Sequence, residues 1–428
     1  MDDGHSIPDL EVDGAEGRLT ALTESDAEPP TLYTHLGEGD KQQVQHINLL
    51  VLKQMLESSA SGRKLKLGKG KKKKKKGTKV TVFGTDLQSL YVEDIELRRP
   101  HMSDVSVPLF LDRACTFITE NGLDTEGIFR KPGSASRIRA LLQKCEDVSA
   151  QIDFAAEESQ VVDVACLLKQ FIRDASEPLL TSTYLDAFSA TQSIEDPEDQ
   201  VRALALVVQM LPQAHQNILK RLLQTLSCVA DNESVNKMGV PNLAVVFAPS
   251  LFFVKGAKGQ KMLKEVEAQV VAASCVKMMI THHEVLWTVS PDILAKVRFL
   301  TEQSGGGKRG SRAKDVKKLL KKKEASSDSL PVGIKCETDN TEYTTWVADG
   351  DILAVVRVTL DDGAVTKKLN VKKDDTVQTV LEGVGCAGSL LEECGGNIGS
   401  RRLDPRTKVI PLLHLNPNCQ LHVRSNDK

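Results

Sequence analysis

Apolar residues recur every three to four positions through most of this chain, and the places where that rhythm fails divide it into regions. Leu111, Cys115 and Ile118 make one stripe behind Pro108; it stops at Asn121-Gly122, a pair that predicts a left-handed helix end. Ile138, Leu141, Leu142 and Cys145 make a second stripe behind Ser134, a candidate N-cap. A third helix is predicted over 163–174, with Val164, Leu168 and Phe171 facing a core. Two more follow over 199–210 and 213–229. A turn at Pro241 then leads into the apolar Leu243 to Phe247, and a last helix covers 266–281. No strand alternation of any length intervenes, so residues 82–290 are predicted to be an all-α domain.

On either side the pattern changes. Residues 1–40 are rich in Asp, Glu, Gly and Pro and are predicted to be disordered. Val44, Ile47, Leu50, Val51 and Met55 then form a short helical stripe, read as a docking helix or as a frayed helix packed on the main domain. Lys71 to Lys76 are unbroken; six adjacent ammonium groups repel one another, so the arm around them is predicted to be exposed, and residues 1–81 to be a disordered acidic and then basic region. Residues 291–349 read as a second, basic linker. From Ile352 the period becomes two: Val355, Arg357 and Thr359 alternate with Val356, Val358 and Leu360. Asp361-Asp-Gly363 predicts a hairpin turn into a strand over 365–371, Asp374 is a candidate cap for a helix over 376–383, and a strand is predicted over 420–424. Hairpin, helix, then further strands is the order of a small α+β ubiquitin-like (β-grasp) domain, placed at 350–428. The whole is a multidomain chain.

Composition narrows the function classes. The formal net charge is −2 over 428 residues, which points to no nucleic acid. Nine cysteines stand singly, without a C-x-x-C pair, as expected of reduced cytosolic thiols rather than a disulfide framework or zinc site. Acids occupy the N-terminus where a signal peptide has a basic flank and an apolar run. A soluble, cytoplasmic protein is expected.

Candidate chemistry lies in the helical region. The loop Glu126-Gly-Ile-Phe-Arg130-Lys-Pro-Gly133 joins two predicted helices; Ile128 and Phe129 anchor it, and Arg130 is presented outward. Arginine offers phosphate oxygens a forked, permanently charged contact. Lys169 and Arg173 are four apart on one helix and share its polar face. Asn242 opens the run Asn-Leu-Ala-Val-Val-Phe-Ala-Pro249. Plainer readings stand beside these: a surface arginine, a solvated basic face, a turn cap. No paired carboxylate beside a histidine, no nucleophile with its base and no phosphate-cradling glycine loop is visible, so no cofactor is expected.

Three blocks carry a family resemblance: Glu126-Gly-Ile-Phe-Arg130; Leu167-Leu-Lys169-Gln-Phe-Ile-Arg173 with Glu177-Pro-Leu-Leu180; and Asn236-Lys-Met238 with Asn242 to Pro249. In order and spacing they resemble the signature of the Rho GTPase-activating domain. The resemblance implies an all-helical domain that speeds GTP hydrolysis on a GTP-loaded Rho-family protein. It implies that Arg130 is the finger supplied in trans, that Lys169 and Arg173 support the loop and contact surface, and that Asn242 meets the GTPase switch region. Nucleotide and Mg²⁺ would belong to the partner. Ala175-Ser176 departs from the family's Leu-Pro at the helix end. Leu391 to Gly399, Arg402-Leu-Asp404 and Leu415 to Asn418 resemble the tail of the Conundrum-like group, which implies action on RhoA-like GTPases at the actin cortex.

Two elements stay open at this level. The lysine run suits anionic membrane lipid, hence cortex or plasma membrane, or an importin, hence a nuclear pool. The β-grasp unit suits a Ras-association module offering Lys367 and Lys368 on its second strand, or a purely structural role, and its partner is unknown. The competing function is a non-catalytic Rho-binding adaptor tethered by the basic arm.

Overall fold

Amphipathic stripes become helices here because each can be laid against another, and the deepest stripe marks the centre. In the computed structural model, which describes residues 31–59, 65, 67–68, 80–98, 107–148, 152–252, 262–304, 343–348, 351–360, 365–372, 374–416 and 418–425, the chain divides into two compact units. One is Asn48–Trp287.

Its helices are α1 (Glu38–Ser58, entering the unit at Asn48), α2 (Leu87–Arg98), α3 (Leu109–Asn121), α4 (Ala135–Cys145) and α5 (Val161–Asp174). There follow α6 (Thr181–Thr191), α7 (Pro197–Met210), α8 (Gln213–Asp231), α9 (Glu233–Asn236), α10 (Val240–Phe252) and α11 (Met262–Thr281). Helix α8 is central: Ile218, Leu219, Leu222, Leu223, Leu226 and Val229 are buried along it, and α2, α3, α10 and α11 pack around it. Phe83, Phe110 and Phe171 meet with ring centroids 5.1–6.0 Å apart and join α3 to α5. Helix α7 starts at Asp196, whose carboxylate accepts the Asp199 N–H at 2.8 Å, with Pro197 in the first turn.

The second unit holds the described residues of Met1–Ile47 and Thr288–Lys428. Strands β1 (Thr31–Leu32) and β2 (Thr288–Val289) pair antiparallel, and α12 (Pro291–Ser304) follows. The main sheet has β3 (Tyr343–Ala348), β4 (Asp351–Leu360), β5 (Val365–Lys372), β6 (Leu390–Cys394), β7 (Ser400–Arg402) and β8 (Gln420–Arg424). The long β4 takes β5 along one edge; β3 and β8 share the other, and β6 and β7 extend the sheet beyond β8. The β4–β8 pair is parallel, Val358 opposite Leu421, as a β-grasp requires. Helices α13 (Val377–Gly383) and α14 (Val409–Leu415) cover one face. Between them and the sheet lie Val356, Val358, Val371, Val380, Leu381, Leu391, Leu413, Leu421 and Val423.

Several local expectations need correction. Within residues 1–81, taken as disordered, α1 is a 21-residue helix whose Val44, Ile47, Val51, Leu52 and Leu56 are buried. Residues 291–304, taken as linker, are helical. Gly122 ends α3 at φ −120°, not left-handed; a Cβ there would lie 2.6 Å from Val161 and 2.8 Å from the Ile118 carbonyl, so close approach requires the glycine. Ser134 is the N-cap residue of α4, yet its hydroxyl meets Ser136 rather than the helix N–H groups. Pro241 lies in the first turn of α10, where its missing N–H costs nothing, and Leu243 to Phe247 are helical. Thr376, not Asp374, caps α13 through a capping box with Thr379; Asp374 pairs with Lys408. Lys71 to Lys76, residues 305–342 and the 361–364 turn lie outside the described residues.

Candidate functional site: an arginine held outward on a stapled loop

Between α3 and α4 the chain must reverse within a dozen residues, and two left-handed positions do it. Gly127 has φ 73° and Phe129 has φ 66°. Glycine takes this region freely, but a phenylalanine there costs roughly 1–3 kcal/mol and persists only where its surroundings enforce it. The surroundings are specific. Thr125 and Gly127 accept the N–H groups of Ile128 and Arg130 at 3.1 and 2.9 Å, closing tight turns, and Gly127 also accepts from Lys131. Ile128 and the Phe129 ring are fully buried. Turning Phe129 into the core leaves the next side chain, Arg130, in solvent. Among the described residues nothing pairs with its guanidinium.

Residues from the second and third sequence blocks converge on this loop, which is the first block. From α5, Lys169 donates its ammonium to the Phe129 carbonyl. From α10, Phe247 meets the Phe129 ring edge-to-face at 5.0 Å. From α9, the Asn236 carbonyl accepts the Gly127 N–H at 2.8 Å. The Asn236 side chain is buried and donates to the Leu123 and Val229 carbonyls at 2.9 and 2.8 Å, while its oxygen takes the Met238 N–H. At the loop exit, buried Asp163 accepts the Ser134 N–H at 2.7 Å and the Arg137 Nε at 2.5 Å. Burial lowers the Lys169 pKa below the usual lysine range, and Arg173, one turn on, adds to the depression. The outer pair Lys131–Glu126 bridges the turn at 3.0 Å, and that contact lowers the Glu126 pKa.

Arg173 and Asn242 are exposed, and among the described residues neither is hydrogen-bonded to the loop. Arg173 approaches Asp174 at 4.0 Å; Asn242 donates to the Lys237 carbonyl at 3.1 Å. One turn along α10 from Asn242, Val245 is 65 % exposed, and Val235 beside Asn236 is 51 % exposed. At the altered helix end, Ser176 donates its N–H to the Thr85 carbonyl at 3.2 Å, a bond the proline usual in the family cannot make. Asn236 and Asp163 were visible in the sequence only as a motif residue and a helix start. For Asp163 the one signal was a polar side chain at the head of an apolar run.

Residues 108–255 match the RhoGAP domain, a span that holds the loop, α5 and α10. The chain carries a RhoGAP domain over these residues. Residues 341–426 match the RHG40-like, C-terminal ubiquitin-like domain. Rho GTPase-activating protein 18 of Homo sapiens is 33 % identical over 399 residues, covering 91 % of this chain and 58 % of that protein. Rho GTPase-activating protein 40 of Mus musculus is 33 % identical over 393 residues, covering 85 % of this chain and 55 % of that protein. The chain thus spans a little over half the length of these relatives. Its RhoGAP domain is helical and its ubiquitin-like domain is a mixed sheet with helices on one face.

Proposed function

We propose that this chain stimulates GTP hydrolysis by a GTP-loaded Rho-family GTPase, RhoA-like in preference, with Arg130 entering the partner's nucleotide site. The observation that carries the reading is the convergence of Lys169, Phe247 and Asn236 on a loop whose next side chain is a solvent-facing arginine. As phosphoryl transfer proceeds, negative charge shifts onto γ-phosphoryl and bridging oxygens, and a guanidinium stabilises it; arginine fingers contribute roughly 10³ to 10⁵ in rate. The loop's fixed backbone means little reorganisation is needed at that moment. Lys169 positions the loop, while Arg173, Asn242 and Val245 supply contact surface. GTP, Mg²⁺ and the attacking water belong to the partner.

In the cell this activity would lower Rho signalling to actin from the cytoplasm, with Lys71 to Lys76 drawing the protein to anionic membrane. A binding-only adaptor has no use for an arginine aimed outward on a strained loop. Single-turnover GTP hydrolysis on RhoA-, Rac- and Cdc42-type proteins tests the proposal. Acceleration is expected on at least one, greatest on the RhoA type; no acceleration on any of them, with binding intact, would establish the adaptor instead.

A further inference from the structure

Strand register sorts the ubiquitin-like sheet into two unlike faces. Arg357 lies opposite Lys368 across β4 and β5, and Leu353 lies opposite Lys372. Thr359 is level with His422, His422 with Glu392, and Glu392 with Arg402. With a period of two, Arg357, Lys368, Lys372, Arg402 and Arg424 therefore stand on one face, and all five are exposed. Their neighbours Val356, Val358, Val371, Leu421 and Val423 fill the core behind. Among the described strand residues of the outer face two are carboxylates: Asp351, at the start of β4, and Glu392, which accepts from Arg424 Nε at 3.0 Å. Arg357, Thr359, Thr366, Lys368 and Gln420 line an open groove of about 430 Å³ across β5, β4 and β8. Lys367 points elsewhere, donating to the Val384 carbonyl at 2.6 Å, so the basic character belongs to this face rather than to the β5 tip at large.

The chain carries the complement. Residues 1–30 contain nine acids (Asp2, Asp3, Asp9, Glu11, Asp13, Glu16, Glu24, Asp26 and Glu28) against one arginine, Arg18. The described chain begins at Thr31, and that point is fastened to this same sheet. Arg401 on β7 donates to the Thr31 hydroxyl at 2.8 Å, the Gly37 N–H reaches the Ser400 carbonyl at 2.8 Å, and Asp40 accepts the Gly399 and Ser400 N–H groups at 3.0–3.1 Å. Arg402 of the basic face is the next residue after Arg401. Thirty residues extend to at most roughly 100 Å, whereas six strands about 4.8 Å apart span only some 25 Å. A tether this short raises the effective local concentration to about millimolar.

We propose that the acidic segment 1–30 docks in cis on the basic sheet face formed by Arg357, Lys368, Lys372, Arg402 and Arg424. The contact is many weak ion pairs on an open surface, so it is reversible and salt-sensitive.

Carbodiimide coupling of the 428-residue chain, which joins carboxylates to touching amines, followed by peptide mass mapping, tests this. Links from the acids of residues 1–30 to Lys368 or Lys372 are expected. They should fall at least fivefold at about 1 M salt, where the Debye length is about 3 Å, and fall likewise in the Arg357→Gln/Arg402→Gln/Arg424→Gln variant. That variant retains both target lysines, and its substitutions are on exposed side chains. A second variant, with the nine acids changed to Asn or Gln, should lose the links while the sheet is untouched. Links from residues 1–30 only to Lys71 to Lys76, or links to the sheet lysines unchanged by salt and by the triple substitution, would overturn the proposal. So would sedimentation with phosphatidylserine vesicles that needs Lys368 and Lys372 yet is indifferent to neutralising the nine acids, since the face would then be an open membrane surface.

Discussion

Arginines are used in opposite ways in the two units. In the RhoGAP domain every polar contact around residues 122–134 goes to backbone or to a neighbouring side chain, and the Arg130 guanidinium is left in water. In the C-terminal unit Arg298 and Arg401 are buried around Glu393. Arg298 reaches its carboxylate at 2.9 Å, Arg401 at 2.8 Å, and Asn416 adds a bond at 2.7 Å. Burial alone would raise the Glu393 pKa; Arg401 and Arg298 more than offset it and hold the carboxyl below the usual range. The buried pairs have already given up their hydration to the fold. Arg130 still has its hydration to exchange, and a phosphoryl group in a partner's site is the kind of anion for which a fixed guanidinium makes that exchange worthwhile.

Breaking the comparison at Arg130 should have the largest effect. Arg130→Ala is expected to lower stimulated hydrolysis by roughly 10³- to 10⁵-fold without moving the unfolding midpoint, and Arg130→Lys should be nearly as slow because an ammonium lacks the planar fork. Single-turnover rates beside urea unfolding check both. Glu393→Gln should do the reverse, destabilising the C-terminal unit by about 3–5 kcal/mol because two buried cations lose their anion. Its pH dependence has a definite sign. A carboxyl whose folded pKa is lowered contributes stability above its unfolded value of about 4.3, and that contribution fades as pH falls through the folded value. The parent should therefore lose stability on acidification below about pH 4.3, whereas the Gln variant, already destabilised, should show a flatter acid limb.

Smaller effects sharpen the picture around the loop. Lys169→Met removes a charged donor from the Phe129 carbonyl, a bond of the class that contributes about 1.5–3 kcal/mol. The expected rate loss is about tenfold to a hundredfold, with part of it appearing as lower stability. Arg173→Ala with Asn242→Ala touches no loop contact and should weaken GTPase affinity by about tenfold at unchanged stability, an amount typical of secondary interface residues. Parental affinity in that double variant would return both side chains to ordinary surface.

The three blocks were legible because their residue types are demanded locally: a glycine at φ 73°, apolar anchors, a lysine on the face of α5 that meets the loop. What escaped was set by distance along the chain. Arg298 and Glu393 are 95 residues apart, and no local pattern announces that a linker arginine will be buried. The buried stripe of α2, Leu87, Leu90 and Asp94, is interrupted by a carboxylate and so does not read as apolar, and α10 was misread because a proline at its start looks like a turn. Asp374 looked like the cap of α13 because aspartate is the stronger prior; Thr376, two residues on, has the geometry. The buried half of α1 was visible as a stripe, but its acidic surroundings argued for disorder.

The account rests on Arg130 acting in the transition state rather than in ground-state binding, and one comparison tests that directly. Affinity for the GDP-loaded Rho protein is measured with and without aluminium fluoride, which completes a mimic of the transferring phosphoryl group, for the parent chain and Arg130→Ala. The parent should gain orders of magnitude in affinity on adding fluoride; the variant should lose nearly all of that gain while binding the GTP-loaded form within a few-fold of the parent. An undiminished fluoride-dependent gain in the Arg130→Ala chain would contradict the account.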